Sequence, residues 1–191
     1  GDSAGQHAAD TISAGARLNN KSAVRWLAES APDVVRWLLA LGMQFDSVNG
    51  RLSLGREAAH SFPRILHAGG DATGAELARV LRETAARQPW IESHEFTDAC
   101  ELLKRGNQVV GVLARNRRGE QIRLLAPSVV LATGGIGQLY RFTSNPAEAD
   151  GSGLALAHQA GAELADLEFV QFHPTALAPK AEDEAAQLPL I

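Results

Sequence analysis

The sequence predicts an α/β domain in which a parallel sheet carries an attached antiparallel β-meander. Three observations predict it. Apolar residues keep a helical period through several segments before residue 90. From Trp90 the period changes to two. Later, Val129-Val130-Leu131-Ala132 forms a continuous apolar run ending at Thr133-Gly134-Gly135, the pattern of a strand buried on both faces and paired in parallel.

Taken in order, Ser13 to Ala28 is Ala-rich, with Ala23, Val24, Trp26 and Leu27 on roughly one helical face. Ser30-Ala31-Pro32-Asp33 predicts a fresh helix start, because proline suits the first helical position and an acid suits the first turn. Val34, Val35, Leu38, Leu39 and Leu41 continue the helical period, and Gly42 supplies a left-handed cap. Phe45 to Leu54 reads as a hairpin around Asn49-Gly50, two residues that tolerate positive φ. Gly55 to Asp71 is a polar, irregular loop, the kind of segment that often carries chemistry. Thr73 and Glu76 have capping-box spacing for a helix to about Gln88, with Ala78, Leu81 and Ala85 as its apolar stripe. Strands are expected at Ile91 to Phe96, Ala99 to Lys104, Val109 to Asn116 and Gln121 to Ala126, with tight turns at Gly106-Asn107 and Arg118-Gly119. Leu154 to Ala162 is helical and Leu164 to Phe172 extended, followed by an acidic, Ala-rich tail.

The 191 residues suffice for one sizeable core, and 45% hydrophobic content favours a packed domain over disorder. A net charge of −4 without a dense Lys/Arg run argues against nucleic-acid binding. The single cysteine, Cys100, cannot form an internal disulfide and is compatible with a reducing cytoplasm. No apolar run approaches the ~18 residues of a membrane span. The first residues lack the basic and apolar segments of a signal peptide, and no initiator Met is present, so a piece of a longer chain is expected.

Three segments could carry chemistry. Ala132-Thr133-Gly134-Gly135 admits two readings: glycines that let the backbone approach a ligand, or glycines that only turn the chain. No G-x-G-x-x-G fingerprint accompanies it. In Glu168 to Thr175 the residues alternate, so Gln171 and His173 share a face and could bind a carboxylate; a hydrogen-bonded structural His is the other reading. Arg56-Glu57-Ala58-Ala59-His60-Ser61 sets a base, an acid and a His on one loop, either as a site or as a solvated charged turn. The six histidines show no zinc-ligand spacing.

Together these segments resemble one family. Arg56-Glu57-Ala58-Ala59-His60-Ser61, Arg64-Ile65-Leu66-His67-Ala68 and Asp71-Ala72-Thr73-Gly74 are similar to a run found in L-aspartate oxidases. Asp10-Thr11, Ala14-Gly15-Ala16, Ala132 to Gly135, Tyr140, Asn145-Pro146 and Phe172-His173-Pro174-Thr175 stand in the family's order and spacing, so the resemblance covers essentially the whole chain. Most blocks are shared with the wider succinate dehydrogenase and fumarate reductase flavoproteins. The Arg56-Glu57 block is specific, because those relatives carry Gln where Glu57 stands.

The resemblance implies a partial FAD-binding, Rossmann-like domain. Residues 1–191 would form its middle part, with an N-terminal Gly-rich phosphate loop and a C-terminal capping domain lying outside this chain. It implies FAD as cofactor, contacted by Ala132, Thr133, Gly134, Gly135 and Ser152, and a dicarboxylate substrate, L-aspartate or fumarate. Glu57 would select the α-ammonium of aspartate by a charge-assisted hydrogen bond, where a neutral Gln would suit succinate. Gln171 and His173 would hold a carboxylate. The implied reaction passes the Cα hydrogen to flavin as a hydride, giving iminoaspartate, and returns electrons to oxygen or fumarate. The resemblance further implies a cytoplasmic enzyme of NAD biosynthesis, with channelling to quinolinate synthase as an expected partnership. No catalytic group is assigned within this chain. By itself, without the phosphate loop, it is expected to hold FAD weakly. A succinate or fumarate oxidoreductase and a non-catalytic degenerate domain are the alternatives. The sequence departs from the family at Ala58-Ala59, where the family has Gly-Gly, and at Ser152, where the family has Asp. The added methyl groups matter if either position needs positive φ.

Overall fold

The computed structural model describes residues 1–172. The chain divides into two compact units, the first spanning Gly1–Ser93 and the second beginning at His94.

The first unit opens with α1 (Ala4–Ala14), whose N-cap Ser3 accepts a hydrogen bond from the Gln6 amide at 3.1 Å. The Ala-rich composition predicts one helical segment through Ser13–Ala28, but the chain turns at Ala16 and Arg17, both with positive φ, and restarts at Asn20. The Asn20 side chain caps α2 (Lys21–Ala40) by accepting from the Ser22 and Ala23 amides. Pro32 lies inside α2 rather than opening a second helix. A proline removes one backbone donor. Here the helix continues across that loss to reach the core, where Leu38 and Leu41 pack against the cluster of Met43, Ala68 and Val80. Gly42, at φ +97°, ends the helix as the sequence predicts, with the Met43 amide returning to the Leu38 carbonyl at 3.0 Å.

The hairpin is also as expected. β1 (Ser47–Val48) pairs antiparallel with β2 (Arg51–Leu52), and Asn49 and Gly50 both take positive φ, as this tight turn requires. β3 (Leu54–Gly55) pairs with β4 (Ile65–Leu66) across the polar loop. α3 (Thr73–Ala86) departs from its expected capping box. Ala72 is the N-cap, the Thr73 hydroxyl accepts from the Ala68 amide, and Glu76 accepts from the Gln44 amide. Both side chains tie the helix to neighbouring segments instead of to its own first turn. Its buried face carries Leu77 and Val80, one residue off the expected 78/81/85 stripe, because Met43 and Ala68 form the core against that face.

In the second unit, β5 (Thr97–Arg105), β6 (Gln108–Asn116) and β7 (Gln121–Leu125) form the expected antiparallel meander. Irregularities in register fall between Ala99 and Glu101 and between Leu103 and Lys104. The expected first strand, residues 91–96, forms no ladder. The buried parallel strand at residues 129–132 is likewise not formed: Val130 is 87% exposed, and every ladder among the described residues is antiparallel. A parallel strand needs neighbours on its edges, and none of the described strands flanks this run. Residues 164–172 form no strand. α4 (Ser152–Gln159) follows Gly151 as expected, and the Lys104 ammonium donates to the Ala160 carbonyl at its C-terminal end, at 2.6 Å.

Candidate functional site

The residues singled out by sequence fall into two clusters, one in each unit. In the second unit, the loop after Ala132 folds onto the start of α4. The Gly151 amide donates to the Gly135 carbonyl at 3.1 Å, and the Gln138 amide donates to the Ala149 carbonyl at 2.9 Å. A β-carbon at Gly153 would overlap the Thr133 hydroxyl, so only glycine allows this approach. Gly134 takes φ +74°. Thr133, Gly134, Gly135 and Ser152 are thus brought to one place, with Ala132 at the exposed entry to the loop. Ser152 is the first residue of α4, and its amide donates to the Asp150 carboxylate at 2.8 Å. That bond holds the Asp150 carboxyl below its usual range.

Beside this loop lies a cleft of about 520 Å³ lined by Gly135, Tyr140, Phe142, Asn145, Gln171 and Phe172, among others. Tyr140 and Phe172 meet edge to face at 5.8 Å. Gln171 therefore shares a cleft with Gly135. His173 lies outside the described residues.

In the first unit, the loop between β3 and β4 carries Glu57. Its carboxylate is 61% exposed rather than buried, and Oε1 pairs with His67 Nε2 at 3.1 Å. Arg56 does not reach Glu57; its Nε donates to the His60 carbonyl at 2.9 Å. Ala59, one of the two departures from Gly-Gly, sits at φ +68°, a left-handed conformation that strains an L side chain.

The loop is anchored by residues to which sequence reading gave no role. Asp10 on α1 accepts from the Ser61 amide (2.8 Å), the Ser61 hydroxyl (2.7 Å) and Arg64 Nη1 (2.7 Å). Arg64 also grips Asp2 through Nε at 2.9 Å and Nη2 at 2.6 Å. The Asp10 and Arg64 side chains are each only 9% exposed. The Ser61 amide, then Arg64, hold the Asp10 carboxyl well below the usual carboxylate range. Arg64 Nη1 also lies 3.1 Å from His60 Nδ1. A guanidinium has no acceptor, so Nδ1 must accept and the neutral ring carries its proton on Nε2. Burial, then the Arg64 charge, pushes the neighbouring His7 below its ordinary value. Asp10 and Arg64 stand 54 positions apart, which no local pattern could join.

Comparison with known proteins bears on both clusters. The whole chain, residues 1–191, matches the family described as FAD binding domain. It is 51% identical over 177 residues to an L-aspartate oxidase of Mesorhizobium japonicum, with 92% of this chain and 34% of that protein covered. It is 45% identical over 197 residues to an L-aspartate oxidase of Streptomyces coelicolor, with 100% and 34% covered. The chain thus spans about a third of the length of the curated relatives it matches. Among solved structures it resembles the Mycobacterium smegmatis Sdh1 complex in its apo form, at 36% identity and a TM-score of 0.84 over 92% of this chain and 32% of that one. It also resembles an E. coli quinol fumarate reductase FrdA E245Q mutant, at 29% identity and a TM-score of 0.88 over 92% and 30%.

The loop at Gly134-Gly135 fits such a cofactor. Within 4 Å of where a β-carbon would stand on either glycine the chain places nothing, so bare backbone faces open space beside the start of α4. The family match spans residues 1–191, and the chain belongs to the FAD binding domain family, with FAD as the cofactor.

Proposed function

We propose that this chain is the middle part of the FAD-binding domain of an L-aspartate oxidase that converts L-aspartate to iminoaspartate, with oxygen or fumarate as final acceptor. The observation that carries the reading is Glu57, an exposed carboxylate with one oxygen held by His67. Its other oxygen makes no hydrogen bond among the described residues and is available to an α-ammonium. Identities of 51% and 45% to curated L-aspartate oxidases support the same reading.

In this reading Glu57 orients the substrate by its ammonium, while Gln171 and His173 hold a carboxylate. Ala132, Thr133, Gly134, Gly135 and Ser152 receive FAD. Bound FAD supplies a two-electron acceptor for the Cα hydrogen. The Gly-rich phosphate loop and a capping domain come from other parts of the full-length protein. There the apolar run at residues 129–132 joins a parallel, Rossmann-like sheet, which accounts for an apolar segment left exposed here. No helix among the described residues is long and apolar enough to cross a membrane. A cytoplasmic enzyme of NAD biosynthesis, handing its product to quinolinate synthase and binding neither nucleic acid nor membrane, fits the reading.

The likeness to Sdh1 and fumarate reductase favours a second reading, a succinate or fumarate oxidoreductase. The two part at Glu57, since succinate offers no cation to its charge. Steady-state kinetics on the full-length protein separates them. Glu57→Gln should lower kcat/KM for L-aspartate by about 1.5 to 3 kcal/mol of transition-state stabilisation, the loss of one charge-assisted hydrogen bond, while sparing fumarate reduction. His173→Ala should impair both reactions, because both substrates present carboxylates. Equal loss of both reactions in Glu57→Gln, or no loss of either, would refute the selecting role.

A further inference from the structure

Glu57 stands on a loop bounded by the two-residue ladder of β3 and β4, and His67 directly follows β4. The ladder returns the chain so that His67 Nε2 reaches Glu57 Oε1 at 3.1 Å, ten residues away in sequence. Two features hold the histidine there. Its carbonyl accepts from the Asp46 amide at 2.8 Å, and the Asp46 carboxylate accepts in turn from the Gly69 and Gly70 amides at 2.9 and 3.1 Å. Its ring lies against Gly55, where a β-carbon would come within 2.8 Å of the ring Cε1. Glycine at 55 therefore makes room for the imidazole, and the Asp46 turn fixes its backbone.

A flexible, 61% exposed carboxylate loses rotamer freedom when it binds a cation. A donor already fixed on Oε1 removes part of that loss and leaves Oε2 as the acceptor. Resting on the reading of Glu57 as the ammonium partner, we infer that His67 is a positioning residue that aims the Glu57 carboxylate at the α-ammonium, and so helps determine substrate choice. His67 acts through Glu57 and is not required to touch substrate. Its contribution vanishes where the substrate has no ammonium, and also where Glu57 is replaced.

The test uses the full-length, FAD-loaded protein. L-aspartate oxidation and fumarate reduction driven by a chemical reductant are measured in His67→Ala, His67→Gln, Glu57→Gln and the Glu57→Gln/His67→Ala double variant. His67→Ala should raise KM for L-aspartate about 10-fold, the effect of one lost orienting hydrogen bond, with kcat and fumarate reduction within about two-fold. His67→Gln keeps an amide donor at a similar reach and should restore most of the affinity. In the Glu57→Gln background, His67→Ala should add nothing. The inference is overturned if His67→Ala leaves KM for L-aspartate unchanged, if it harms both reactions equally, or if it adds a further loss to Glu57→Gln. When Glu57→Gln loses L-aspartate selectively but His67→Ala does not, only the positioning role fails. Should Glu57→Gln itself be silent, the selecting role of Glu57 fails and this inference with it.

Discussion

Arg64 Nη1 donates to Asp10 Oδ2 across 2.7 Å, and that bond joins α1 to the loop that carries Glu57. Asp10 also accepts from the Ser61 backbone and hydroxyl, so one carboxylate fixes two points of the loop. Removing it leaves the Arg64 charge, at 9% side-chain exposure, with Asp2 as its one remaining acidic partner among the described residues. Asp10→Ala in the full-length protein should lower Tm by a few degrees, and Asp10→Asn by less, since the amide oxygen still accepts from Ser61. Thermal unfolding of the two variants checks this; equal Tm values for both variants and the parent would show that the clamp contributes nothing.

Acid should weaken the first unit in two windows. Burial and the Arg64 charge keep His7 below its ordinary value of 6.5, so the unfolded chain takes up the proton first. Stability from His7 is full above that value and is lost as pH falls through the lowered one. Glu76 is drawn down to about 2 by Arg79 and by the Gln44 amide, from an ordinary 4.5. Its contribution, with that of Asp10, is full above the ordinary carboxylate values and is lost as pH falls toward the depressed ones. Denaturant midpoints measured from pH 7 to pH 2 should fall slightly below 6.5 and more steeply below 4.5. His7→Gln should remove the upper step only, and Glu76→Gln should shrink the lower one.

Ala59 offers a stabilising substitution. The left-handed conformation costs an L residue about 1 to 2 kcal/mol, whereas the extra freedom of glycine in the unfolded chain costs about 0.5 to 1 kcal/mol. The first term is larger at φ +68°. Ala59→Gly should therefore stabilise the full-length protein by about 0.5 to 1 kcal/mol, read by denaturant unfolding. A destabilised variant would mean that the loop is not held in this conformation.

Gly153→Ala probes the loop proposed to receive FAD. The new methyl would overlap the Thr133 hydroxyl and must push the Gly134-Gly135 loop away from α4. Overpacking of this kind costs about 1 to 3 kcal/mol, enough to weaken FAD binding about 5- to 150-fold. The ratio of flavin absorbance to protein in the purified full-length variant, and the FAD needed to restore it, measure the loss. Full retention of flavin would place the cofactor elsewhere.

Features set by local chemistry were legible in the sequence. Asn49-Gly50 gave the hairpin, Gly42 the helix end, and the two-residue period the meander of β5 to β7. Of the candidate site, the sequence named Glu57 and Gln171, which the structure places in separate units, and His173, which falls outside the described residues. The misreadings share a cause. Pro32 is a start signal by local rules, yet α2 runs through it to the core formed by Met43, Ala68 and Val80. Thr73 and Glu76 have the spacing of a capping box, yet each bonds a different segment.

By itself, the sequence determined where the chain can turn, which periods it keeps and which chemical groups each loop carries, because those depend on neighbours within a few residues. Only the tertiary structure decided which groups meet. It set Asp10 against Arg64 across 54 positions and turned His67 back onto Glu57. Such choices depend on which distant surfaces exclude water together and which buried polar groups find partners, and no window of neighbouring residues contains that information.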